Sequence, residues 1–109
     1  MKYLLNAFSL SMLPPGNRLV SVEDITLQEA REELHEGSLF NAIGHADTDS
    51  IVRGLLDIKA LLPGVRLSIV LEPEDCAIVA QYSGPRLPEG ATSLPEGAVI
   101  LWKMVTIEK

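Results

Sequence analysis

A single cysteine, Cys76, leaves the chain no internal disulfide, and with only two histidines no Cys/His spacing for zinc is present. One isolated thiol fits a reducing, cytoplasmic location. Aromatic residues are only 5% of the chain, too few for a row of base-stacking platforms, so the core must be aliphatic. Basic residues are also short, nine against fifteen acidic ones. The net charge of −6 excludes a broad surface for duplex nucleic acid. It does not exclude a small anion held by a few arginines and a helix N-terminus. No apolar run is long enough to span a membrane. Residues 1–13 lack a basic stretch followed by a long apolar core, and Asn6, Ser9 and Ser11 interrupt them, so no signal peptide is expected.

What remains is 109 residues, 47% hydrophobic, read as a single domain over residues 1–109 with a modest core. Residues 2–7 predict a first strand, apolar on both faces and therefore central. If the chain stays extended beyond it, Ser9 and Ser11 point the same way. Pro14-Pro15-Gly16-Asn17 ends the segment, and residues 18–22 predict a second strand. Thr26 followed three residues later by Glu29 is a capping box. The helix it opens puts Leu27, Ala30 and Leu34 on one face and an acidic, solvated run on the other, with Gly37 suited to its C-terminal stop.

The stretch from 39 to 56 concentrates the chemistry. Residues 39–43 are an apolar strand or buried turn, and Gly44 allows a sharp bend before His45. Asp47 or Thr48 is expected to cap a helix whose apolar face carries Ile51, Val52, Leu55 and Leu56. A lone histidine after a glycine is most often a turn residue. Here it precedes a helix N-terminus, where free N–H groups and the dipole favour phosphate, and an imidazole in that place is a candidate proton donor.

Downstream, residues 65–71 alternate cleanly and predict a strand, with 76–82 as its antiparallel partner. Residues 83–97 carry three prolines and three glycines without periodicity and read as a long loop. Arg86 and Glu89 lie within it, either as an incidental ion pair or as parts of a lid that closes on an anion. Residues 98–107 predict a last strand, with Trp102 in core or interface packing.

N-A-F-S at 6–9, I-G-H at 43–45 and R-L-P-E-G at 86–90 occur in that order along the chain. Together they resemble the viral anti-CRISPR ring nucleases, a family with cellular relatives beside type III CRISPR systems. The resemblance implies an α/β fold: a small single domain with a mixed sheet of about five strands, flanked by two or three helices and paired as a homodimer. It implies binding of cyclic tetra-adenylate at the dimer interface. It also implies metal-independent cleavage, without a cofactor, to linear di-adenylates ending in cyclic phosphate. By matched position His45, Arg86 and Glu89 are catalytic or lid residues and Asn6 and Ser9 contact substrate. Ser11, Arg66 and Gln81 are assigned to substrate on the same basis. The chain departs from the family where Asp47-Thr48 replaces Ser-Thr after the histidine, and between Gln81 and Arg86, where Pro85 enters a lengthened stretch. The alternative in another class is a non-catalytic protein that sequesters a cyclic nucleotide or docks a protein partner.

Overall fold

The computed structural model describes residues 1–35, 39–58 and 61–108. Its elements are β1 (Lys2–Leu5), a 3₁₀ turn (Leu10–Met12), β2 (Leu19–Ile25), α1 (Leu27–His35), β3 (Leu39–Asn41), α2 (Ala46–Leu56), β4 (Cys76–Ser83) and β5 (Val99–Glu108). The strands form one mixed sheet in the order β2-β5-β4-β1-β3. β1 lies parallel to both β3 and β4, while β5 runs antiparallel to both β4 and β2. This is the small α/β domain, five-stranded and mixed, that the resemblance implies; two helices accompany the sheet among the described residues.

β1 is an interior strand, between β4 and the edge strand β3, and its consecutive leucines divide between the two faces. Leu4 joins a cluster with Ala30 and Leu34 of α1, Val52 and Leu56 of α2, Ile78 and Trp102. Leu5 joins a second cluster with Ala77, Val79, Val105 and Ile107, covered by Leu71 and by Met12 and Leu13. Trp102 therefore belongs to the core, 7% exposed. The capping box of α1 is formed as expected: Glu29 N–H donates to Thr26 Oγ1 at 3.1 Å and Thr26 N–H to Glu29 Oε1 at 3.0 Å. The stop assigned to Gly37 lies outside the described residues.

Two expectations fail. Residues 65–71 are not a strand. They cross the open face of the sheet, tied by Val65 N–H to Asn41 O at 3.2 Å and Leu71 N–H to Met12 O at 2.7 Å. Consequently 76–82 is not their antiparallel partner; β4 inserts between β1 and β5. Alternation says only that every second residue shares a face. An extended segment lying on a sheet meets that condition without pairing. Here Leu71 is fully buried while Val65 and Leu67 are more than half exposed, so the alternation does not carry through to burial.

Candidate functional site

The three parallel strands end at the same edge of the sheet, and each is followed by residues singled out above. Asn6 follows β1, Gly44 and His45 follow β3, and Gln81 lies near the end of β4. The carboxyl ends of parallel strands are where open α/β sheets bind ligands, because helix N-termini and short loops converge there.

His45 is itself the N-cap of α2, replacing the expected Asp47 or Thr48. Its Nδ1 accepts from Thr48 N–H at 3.3 Å, with Thr48 Oγ1 also 3.3 Å away. An imidazole nitrogen can do what an Asp or Asn oxygen does at a cap, and it has the reach. Because Nδ1 accepts, the ring proton sits on Nε2 in this arrangement. His45 is exposed, whereas Thr48 beneath it is buried. Gly44 stands, as expected, where a Cβ would clash. A Cβ there would come within 3.0 Å of the Cβ and Cγ of Arg66, so the missing side chain lets the Arg66 stem cross beside His45.

Below the histidine lies a buried polar lock that sequence reasoning missed. Asp49 is 4% exposed and Asn41 7%. Asn41 Nδ2 donates to Asp49 Oδ1 at 2.7 Å and to Leu62 O at 3.0 Å, and Asn41 Oδ1 accepts from Ile43 N–H at 3.1 Å. Asp49 Oδ2 accepts from Gly64 N–H at 3.0 Å and faces Arg53 Nε at 3.2 Å. The Arg53 contact is an ion pair without hydrogen-bond alignment, and that Nε atom makes no other bond. Gly64 permits the closure, since a Cβ would meet Ile43 O at 2.2 Å. The end of β3, the first turn of α2 and the 62–64 turn are thereby fixed to one another around His45. The available signals were a polar residue, Asn41, in the middle of the apolar 39–43 run and an Asp–Arg pair four apart.

Three clefts adjoin along this edge. The first, about 860 Å³, is lined by His45, Asp47, Thr48, Tyr82, Arg86 and Glu89 among others. The second, about 390 Å³, brings His45 together with Asn6, Gly44 and Arg66. The third, about 310 Å³, holds Asn6, Gln81 and Lys103 over Val79 and Val105. His45 joins the first to the second, and Asn6 joins the second to the third. Their charge differs. The first sets Arg86 against Asp47 and Glu89, whereas no carboxylate lines the other two. Arg66 and Arg86 make no ion pair or hydrogen bond among the described residues, so both guanidinium groups are available to an anion. Glu89 accordingly does not brace Arg86 within this chain. Tyr82 hydroxyl donates to Pro85 O, which pins the start of the 83–97 loop and turns Arg86 toward the first cleft.

Ser9 and Ser11 do not reach these clefts. The chain turns into a 3₁₀ helix after β1 instead of staying extended, and Ser9 caps it. The two hydroxyls bond each other at 2.9 Å on an exposed turn. Another recess of about 410 Å³ is lined by Leu34, Leu39 and Ile58 and reaches Asn41, but includes neither His45 nor the two arginines. Burial pushes the Cys76 thiol up from its ordinary range, with Glu33 adding to the effect, so it is a poor nucleophile. Among the described residues no three His, Cys, Asp or Glu side chains gather as metal ligands, and no helix is long and apolar enough to cross a membrane.

Comparison with known proteins gives a consistent result. Residues 2–99 match the family model described as STIV B116-like. The chain is 28% identical over 90 residues to a protein of Sulfolobus islandicus filamentous virus (isolate Iceland/Hveragerdi) named Uncharacterized protein 26. That match covers 83% of this chain and 74% of the viral protein. In structure the chain is similar to B116 of Sulfolobus turreted icosahedral virus, with a TM-score of 0.80 and 26% identity, covering 96% of this chain and 97% of that one.

Proposed function

This chain belongs to the STIV B116-like family, which has relatives encoded by archaeal viruses, and on that footing we propose that it is a ring nuclease. It would bind cyclic tetra-adenylate and open the ring to linear di-adenylates with 2′,3′-cyclic phosphate ends, silencing type III CRISPR signalling. The observation that carries this reading is His45 at the N-terminus of α2, flanked by Arg66 in one cleft and Arg86 in the next, both guanidinium groups unpaired within the described chain.

The chemistry needs little beyond positioning. The ribose 2′-hydroxyl attacks the adjacent phosphorus, its proton passing to solvent, and the 5′-oxygen leaves. A phosphate held at the α2 N-terminus competes with the His45 ring for the Thr48 N–H. Released from that bond, Nδ1 can take a proton, and the imidazolium donates from Nε2 to the departing oxygen. Arg86 and Arg66 neutralise charge growing on the phosphate oxygens. Asn6 and Gln81 contribute amide groups to orient ribose or base, and Glu89 of the lid loop would meet Arg86 from a second copy. A homodimer suits the reading, since a two-fold symmetric ring fits a two-fold interface. The exposed Leu67, Val22 and Leu101 beside the clefts offer an apolar rim for that second copy, at 54%, 59% and 44% exposure.

Incubation with radiolabelled cyclic tetra-adenylate tests the proposal. Wild-type protein should yield linear di-adenylate in EDTA. His45→Ala should retain binding while cleaving about 10²–10⁴-fold more slowly. Cleavage at the wild-type rate by His45→Ala would remove the general-acid role. Tight retention of an intact ring by the wild type would make the protein a sponge.

A further inference from the structure

Lys103 stands on the face of the sheet that carries Val79 and Val105, directly opposite Val79 of β4 and Asp24 of β2. Its neighbours on that face are otherwise aliphatic or amide: Val22, Val105 and Gln81. A lysine here covers apolar surface with its stem and lines the same cleft as Asn6 and Gln81. In the free chain the ammonium pairs with Asp24. That carboxylate is 82% exposed and Lys103 only 32%, so the pair faces water on its acidic side. An ion pair exposed in this way contributes little to stability. It leaves the ammonium, with three donors, ready for a stronger anion. No carboxylate lines this cleft or the adjoining one that holds Arg66, and Asn6 joins the two.

We propose that Lys103 is a phosphate-binding residue of this site, taking a phosphodiester of the nucleotide ligand beyond the one at His45, with Asp24 as its competing partner in the free protein. This rests on the ring-nuclease reading and adds to it a second anchor point across the sheet. Lys103 grips without taking part in bond breaking, because the third cleft does not include His45.

The test is equilibrium binding of cyclic tetra-adenylate in a His45→Ala background, so that the ring is not consumed. Lys103→Gln should weaken binding about tenfold, and Lys103→Arg should keep it within about threefold. Losing one phosphate contact should also make the dependence of log affinity on log salt shallower by about 0.7. Asp24→Asn alters an exposed side chain and should tighten binding about threefold, but have no effect when Lys103→Gln is also present. Unchanged affinity in Lys103→Gln, or no gain in Asp24→Asn, overturns the role of Lys103 while leaving the ring-nuclease reading intact. A parent protein that binds no ring at all overturns both.

Discussion

At the scale of single residues, the site depends on groups that never touch a ligand. Asp49 satisfies Asn41, Gly64 and Arg53 at once from a position 4% exposed. Asp49→Ala would leave the Asn41 amide and the Gly64 N–H without acceptors and the Arg53 charge without a counter-ion. The expected loss is roughly 2–4 kcal/mol, read from the urea unfolding midpoint. A loss below about 0.5 kcal/mol would mean that water replaces the carboxylate and that the lock is unimportant. His45 and Asn6 were legible in the sequence because each is a polar residue placed just after an apolar strand. Asp49 was not, because a carboxylate in the first turn of a helix is usually explained by the dipole, and burial is not written in the local pattern.

At the scale of elements, α1 was read correctly from its N-terminus. Thr26 and Glu29 bond reciprocally, so Thr26→Ala should cost about 1 kcal/mol by chemical denaturation. Glu29→Ala in the same background should add little, because the two side chains act as one cap. The cap of α2 was misread for the same physical reason in reverse. Propensity favours Asp and Thr, yet the chain enters α2 at His45 with extended dihedrals, φ −107° and ψ 115°, and the imidazole reaches Thr48 N–H first. The alternation over 65–71 was real but was spent on lying across the sheet. With β1 and β5 occupying both sides of β4, that segment had no edge of β4 left to pair with.

At the scale of the whole molecule, three clefts along one edge leave the ligand site open, and an apolar rim lies beside them. If a second copy closes over this rim, sedimentation velocity should give twice the mass of 11.9 kDa. Replacing both exposed leucines, Leu67→Glu and Leu101→Glu, should return a monomer that has lost at least tenfold in affinity for the ring. A dimer that survives both substitutions would move the interface elsewhere. The sequence by itself determined the class of fold, through its resemblance to a known family, and from its own pattern the interior place of β1, the capping of α1 and the polar residues that end the parallel strands. The last three follow from local periodicity, cap chemistry and composition, each of which acts within a few residues. Only the tertiary structure decided that β4 separates β1 from β5, that Gly44 makes room for Arg66, and that Asn41, Asp49 and Gly64 form one lock. Those outcomes depend on which distant segments meet, and contacts between distant segments are set by packing the whole sheet.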